Sequence, residues 1–192
     1  MIEVRWHGRG GQGAKTAALL LADIAFSAGM NVQGFPEYGP ERMGAPITAY
    51  NRLNDEKIRC HSNIYEPDIV VVVDETLLKT VKVADGLKQG GKLLINSNRP
   101  PAEVLEMFSG LAAEIHVIDA NDISIRTLGR SLPNTPLLAA VVRLSGIMDR
   151  DTAIEAIEDA FKEKFSTKPK IVKGNVEAAC EAWNSVLYIN EK

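Results

Sequence analysis

Six residues, Gly8-Arg9-Gly10-Gly11-Gln12-Gly13, constrain the fold of this chain more than any others. They follow a short run in which Ile2, Val4 and Trp6 alternate as in a strand. They open an alanine- and leucine-rich segment, Ala14 to Ala28, in which Ala17, Leu20, Leu21, Ile24 and Ala25 recur at helical spacing. Gly29 ends that helix with a residue tolerant of positive φ. Strand, glycine turn and helix in succession leave backbone N–H groups unpaired where the helix dipole favours negative charge. A pyrophosphate is a natural guest there, and Arg9 and Lys15 add side-chain cations.

The remaining pattern extends this start into an α/β domain. Asn31 to Phe35 reads as a second parallel strand that delivers the chain into Pro36–Pro46, a stretch with three prolines and two glycines that cannot be regular. Ile47–Leu53 and Lys57–Cys60 read as a hairpin turning at Asn54-Asp55-Glu56. Ile69 to Val73 is an unbroken β-branched run, as in a central parallel strand covered on both faces. A helix over Glu75–Gln89, buried strands at Lys92–Asn96 and Ile115–Asp119, and a short helix from about Asn121 continue the alternation. From Pro133 the chain reads as all helix: one with Thr135 as cap and Pro136 first, one with Thr152 and Glu155 at capping-box spacing, and a last one from Val176 to Leu187. The expected architecture is one domain over residues 1–192: a doubly wound, mainly parallel Rossmann-like sheet with an inserted β-hairpin and a C-terminal helical segment. In such sheets ligands bind at the carboxyl ends of the strands, where the loops at 8–13, 36–46 and 97–99 should emerge together.

Composition narrows the function. A net charge of −3 over 192 residues argues against a nucleic-acid binder, which gathers a basic excess on one face. The longest apolar run is far short of the roughly 20 residues that span a bilayer, and the chain opens directly in a strand with no leader pattern. Two cysteines, Cys60 and Cys180, do not organise the fold by disulfides and fit a reducing cytoplasm.

Gly8, Gly10 and Gly13 fit GxGxxG in its informative strand-to-helix setting. A dinucleotide site also needs an acid at the end of the second strand to hold the ribose. Glu37 is the nearest candidate, and it lies in the proline-rich loop. A phosphate-binding GxxxxGK[ST] loop is missed because Ala14 separates Gly13 from Lys15. The glycines could instead serve only close strand–helix packing. Asp74 and Glu75 end the central strand, as functional residues or as helix caps. His7, His61 and His116 show no metal-ligand spacing, and Cys60 and His61 point to opposite faces of an expected strand.

Five segments together resemble a known family. WHGRGGQGAKTAA at 6–18, GFPEYGPERMGAP at 34–46, the hairpin after it, PDIVVVVDETLL at 67–78 and NTPLLAAVVRLSG at 134–146 are similar to the gamma-type chains of the 2-oxoacid:ferredoxin oxidoreductase family, and the 34–46 segment to its pyruvate branch. The resemblance covers nearly the whole chain. It implies a subunit of a complex that converts a 2-oxoacid, coenzyme A and oxidised ferredoxin to acyl-CoA, carbon dioxide and reduced ferredoxin. Thiamine diphosphate and iron–sulfur clusters are implied in partner subunits, since two cysteines cannot hold a four-thiolate cluster and Ala84-Asp85-Gly86 is the nearest approach to a thiamine-type GDG motif.

For the gamma-type chain the resemblance implies packing on the thiamine-bearing subunits and help in binding coenzyme A, with no catalytic residue of its own. Coenzyme A carries a pyrophosphate and a ribose phosphate, which suit the loop Gly8–Gly13. Backbone or amide contacts fall to Gly10, Gly11, Gln12 and Gly13, and charge to Arg9 and Lys15. Tyr38, Glu41, Arg42, Met43 and Gly44 form the face expected over the active site or against a partner. Two other readings stay open: a free-standing NAD-type module, and a purely structural subunit whose glycine loop touches protein only.

Overall fold

A computed structural model describes residues 1–37 and 43–189 of the chain. Tyr38, Glu41 and Arg42 lie outside the described residues. The described chain runs β1 (Ile2–Arg9), α1 (Ala14–Ser27), β2 (Asn31–Pro36), β3 (Pro46–Asn54), β4 (Ile69–Val72), a 3-10 turn at Glu75–Lys79, β5 (Lys92–Asn96), α2 (Pro101–Met107), β6 (Glu114–Ile118), α3 (Ala120–Leu128), α4 (Asn134–Ser145), α5 (Arg150–Lys164), α6 (Pro169–Ser185) and β7 (Leu187–Ile189). Among the described residues the strands form one sheet in the order β2-β3-β1-β4-β5-β6-β7. β1, β4, β5 and β6 are mutually parallel, whereas β3 is antiparallel to both β1 and β2, and β7 to β6.

The two faces of the sheet are different materials. Val4 and Trp6 of β1, Ile69, Val71 and Val73 around β4 and Leu94 of β5 point to one face, where they share a core with α1, α3, α4, α5 and α6. α4 is apolar nearly all round, Leu137 to Val142 being fully buried, which is the mark of a helix enclosed on every side. α1 lies close on β2 because Gly34 has no side chain: a Cβ there would stand 3.0 Å from Ala22 Cβ and 3.3 Å from the Ala18 carbonyl oxygen. The opposite face is apolar under β4, β5 and β6, where Val70, Val72, Leu93, Ile95, Ile115 and Val117 pack with Val104 of α2.

Under β1, β3 and β2 that second face is polar. Arg52 is 1% exposed and donates from Nε to Glu3 Oε1 at 2.8 Å and from Nη1 to Gln33 Oε1 at 3.2 Å. Arg5 donates from Nη2 to the carbonyls of Val83 (3.0 Å) and Asp85 (2.5 Å), and from Nε to His7 Nε2 at 3.1 Å. Burial, with the Arg5 charge adding to it, pushes the His7 pKa down to about 4. Its imidazole is neutral and acts as an acceptor.

Several expectations change in the structure. The hairpin pairs β3 with β2, not with Lys57–Cys60, which is irregular. Lys57, Arg59 and Cys60 are exposed, so that stretch has no apolar face to bury against the sheet. β2 runs in the direction of β1, as expected of a parallel strand, but β3 is inserted between them. Glu75–Gln89 is not a helix beyond its first turn. Arg5 captures the Val83 and Asp85 carbonyls, and Gly86, at φ 74°, packs so closely on the Tyr65 carbonyl that a Cβ would sit 2.0 Å from its oxygen. α4 starts after Pro133, with Thr135 already inside it and its hydroxyl given to Asn175 Oδ1 at 2.6 Å. α5 is capped by the Asp149 carboxylate, which accepts from the Thr152 N–H at 3.0 Å, and not by Thr152. Leu187 belongs to β7 and not to the last helix.

Candidate functional site

The topology fixes where a ligand can enter. From β1 the chain crosses by α1 to β2, over the helical face. From β4 through β5 to β6 it moves the other way, with α2 on the opposite face. The direction reverses between β1 and β4, so a crevice opens just beyond their carboxyl ends, the usual ligand position in doubly wound sheets. The glycine loop, the segment before β3 and the residues after β4 meet there.

Each glycine has a physical task. A Cβ at Gly8 would lie 2.9 Å from Ala14 Cβ, so this glycine serves close packing of α1 on β1. Gly11 and Gly13 take positive φ (93° and 83°), and a Cβ at Gly13 would lie 3.0 Å from Asn134 Cβ of α4. Gly13 is the residue that caps α1 and brings no side chain to the first turn, which leaves that end of the helix suited to an outside acceptor. The loop is also zipped to the segment before β3: Gly10 N–H donates to Ala45 O at 2.9 Å and Gly44 N–H to Gly10 O at 3.1 Å.

Arg9 and Gln12 turn toward β4. The Gln12 amide accepts from Arg9 N–H at 2.9 Å and donates to Asp74 Oδ2 at 2.5 Å. Arg9 gives Nη1 to Gly44 O at 3.0 Å, Nε and Nη2 to Thr76 Oγ1 at 3.1 and 2.9 Å, and stands 3.3 Å from Asp74 Oδ2. Thr76 in turn donates its N–H and hydroxyl to Asp74 Oδ1 at 2.9 and 2.7 Å. Burial works against the Asp74 charge, but the Thr76 and Gln12 hydrogen bonds and Arg9 outweigh it and hold its pKa below the ordinary carboxylate value. Asp74 both caps the 3-10 turn and closes this network.

Two cavities meet at the glycine turn, with Gly11 lining both. One, of about 410 Å³, is lined by Gly11, Gln12, Asp74, Glu75, Ser97, Asn98, Asp119 and Asn121 among others, and is acidic. The other, of about 380 Å³, is lined by Gly10, Gly11, Gly13, Lys15, Thr16, Met43 and Ile47. Met43 is 91% exposed, yet its sulfur would lie 3.1 Å from a Cβ at Gly11, so it roofs the glycine turn from outside.

The structure therefore brings Gly8, Arg9, Gly10, Gly11, Gln12, Gly13, Lys15, Met43 and Gly44 together. Asn96, Asp119, Asn121 and Ser131 were not singled out from the sequence. For three of them a signal was present, since Asn96 ends the apolar strand β5 and Asp119 and Asn121 come just after β6; Ser131, beyond α3, carried none. Asn96 is a scaffold: it donates to Val73 O at 2.8 Å and accepts from Ala120 N–H at 2.9 Å, tying β4, β5 and α3 together at the cavity floor. Glu37, the acid that a ribose clamp needed, instead accepts the Tyr50 hydroxyl at 3.1 Å on the polar face of the sheet. Cys60 is exposed beside Ser62 and Cys180 lies within α6, and among the described residues no three His, Cys, Asp or Glu side chains gather as a metal site. These thiols do not fit a four-cysteine cluster.

Fold and crevice define a doubly wound α/β domain in which a glycine turn and Lys15 line one cavity of the crevice. The sequence pattern of the pyruvate ferredoxin/flavodoxin oxidoreductase family matches residues 3–185. The pyruvate/ketoisovalerate oxidoreductases common subunit gamma of Thermococcus litoralis is 46% identical over 187 residues, covering 97% of this chain and 98% of that one. The crystal structure of pyruvate oxidoreductase subunit PORC from Thermotoga maritima superposes with a TM-score of 0.85 at 40% identity, covering 98% of each chain. A 2-oxoglutarate:ferredoxin oxidoreductase from Magnetococcus marinus, solved with 2-oxoglutarate, coenzyme A and succinyl-CoA bound, shares the fold at a TM-score of 0.69 and 19% identity over 94% of this chain and 30% of that one. The chain belongs to the pyruvate ferredoxin/flavodoxin oxidoreductase family, as a gamma-type subunit of a 2-oxoacid:ferredoxin oxidoreductase.

Proposed function

We propose that this subunit presents its glycine turn to coenzyme A while the assembled complex oxidatively decarboxylates a 2-oxoacid, pyruvate first among them. In that reaction carbon dioxide leaves, the acyl group passes to the coenzyme A sulfur, and the electron pair goes to ferredoxin. Thiamine diphosphate and iron–sulfur clusters, held by partner subunits, supply the carbanion and electron-transfer chemistry. This chain binds and orients. The observation that carries the reading is the cavity of about 380 Å³ at Gly10, Gly11, Gly13 and Lys15. It combines a helix N-terminus without a side-chain cap, a cation, and the apolar Met43 and Ile47, which match a phosphate group and a pantetheine arm respectively. The relatives' names agree with the oxoacid class, and a distant structural neighbour was solved with coenzyme A bound. Tyr38, Glu41 and Arg42 belong to the proposed partner face with Met43 and Gly44, which adjoin the glycine turn.

The competing structural reading draws on Gly8 and Gly13, whose lack of a side chain is already accounted for by Ala14 and Asn134. Native purification with this chain as bait, followed by a coenzyme-A-dependent 2-oxoacid oxidation assay with a viologen dye, tests the function. Co-purifying thiamine- and cluster-bearing subunits with pyruvate activity above ketoisovalerate activity is expected. A lone chain without partners or activity would overturn the proposal.

A further inference from the structure

The arginine in the glycine loop faces the wrong way for a phosphate clamp. Its guanidinium leaves the glycine turn for the β4 side of the crevice, where Asp74 offsets its charge at 3.3 Å and Thr76 takes two of its N–H groups. Its Nη1 also donates to the Gly44 carbonyl at 3.0 Å. Gly44 is the residue whose N–H is bound to Gly10 O, and its neighbour Ala45 accepts from Gly10 N–H. Arg9 thus ties three pieces of chain together: its own loop, the turn after β4 and the residues that lead into β3. Gln12 braces the same assembly from the other side through Arg9 N–H and Asp74. Gln12, Asp74 and Thr76 of this brace line the acidic cavity with Glu75 and Asp119, and Gly11 lines both that cavity and the Lys15 one.

We infer that Arg9 is a positioning residue and not a phosphate ligand: together with Asp74, Thr76 and Gln12 it fixes Gly44 and Ala45 against the glycine turn, and so holds in place the segment that brings Met43 and Ile47 to the Lys15 cavity. The inference rests on the coenzyme A reading for its kinetic consequence, but not for its structural one. A forked guanidinium is required, because one group must reach Gly44 O and Thr76 Oγ1 at once. A lysine ammonium keeps the charge and loses the fork.

The test uses the assembled oxidoreductase with Arg9→Lys, Arg9→Ala and, as a separate control, Lys15→Ala. Hydrogen exchange of the peptide spanning residues 43–48 is measured by mass spectrometry, and the apparent KM is determined for coenzyme A and for 3′-dephospho-coenzyme A. The inference expects faster exchange at 43–48 in both Arg9 variants. It also expects an increase in KM by a similar factor for the two substrates, with Arg9→Lys no better than Arg9→Ala. Rescue by Arg9→Lys, or loss of the preference for the 3′-phosphate with unchanged exchange, would make Arg9 a ligand contact and overturn it. Unchanged exchange and unchanged KM would overturn it as well. If Lys15→Ala leaves KM for coenzyme A unchanged, the coenzyme A reading fails, and the exchange result still decides the role of Arg9. Should Arg9→Ala not assemble, Arg9→Lys and Asp74→Asn, which keeps the side-chain shape and removes the ion pair, give the same comparison.

Discussion

The helical face of the sheet and the polar face beneath β1, β3 and β2 are held by different physics. On the first, Trp6 is fully buried among aliphatic side chains and spends its one polar atom on Asn51, donating Nε1 to Oδ1 at 2.8 Å. On the second, Glu3, Arg5, His7 and Arg52 occupy the alternate positions of the same strands and are held by directional, charge-assisted bonds. The difference teaches how one strand serves two purposes. Burial of area secures β1 against the helices, while the side-chain hydrogen bonds of its other face decide where the long irregular segments run. Those segments, and the network that prolongs β1 into the crevice, set the shape of the site.

Substitutions on the two faces should separate these contributions. The largest expected effect is Trp6→Ala, which opens a large hole and strands the Asn51 carbonyl; a loss of about 3–5 kcal/mol is expected from urea denaturation. Trp6→Phe, which keeps most of the ring, should cost much less. On the polar face, Arg52→Ala should lose about 3 kcal/mol by leaving Glu3 only the longer contact with Lys88, at 3.9 Å, whereas the pair Arg52→Met with Glu3→Leu should recover most of that loss. Equal damage from both would mean that Arg52 acts through its bonds to Gln33 Oε1 and the Asn63 carbonyl and not through its pairing with Glu3.

The next effect depends on pH. His7 has its pKa lowered from 6.5 to about 4, so the unfolded chain takes up a proton on this residue at a higher pH than the folded chain does. Its contribution is fully present above pH 6.5, and is lost as pH falls to about 4, an order-of-magnitude effect of about 3 kcal/mol. Thermal melts across that window should show the loss. His7→Gln, which retains an acceptor for Arg5 without titrating, should flatten the slope.

The sequence made some regions plain and concealed others for physical reasons. The alternation of β1, the unbroken Ile69–Val73 run and the apolar α4 were readable because burial dictates their composition locally. The irregular path of residues 80–89 was not, because it depends on Arg5, nearly 80 positions away, capturing two carbonyls. β2 was recognised as a strand, but its partner was misassigned, since pairing is decided between segments and not within one. At the site, the glycine turn announced itself through residue type and setting. The direction of Arg9 did not, because an arginine beside glycines reads equally as a phosphate ligand or as a brace until Asp74 and Thr76 are placed.

The most direct test of the proposed function is the apparent KM for coenzyme A of the complex carrying Lys15→Ala. A charge-assisted contact to a phosphate is worth about 1.5–3 kcal/mol, so an increase of roughly 10-fold or more is expected while kcat changes little. An unchanged KM in a fully assembled, active complex would show that the glycine turn contacts protein alone.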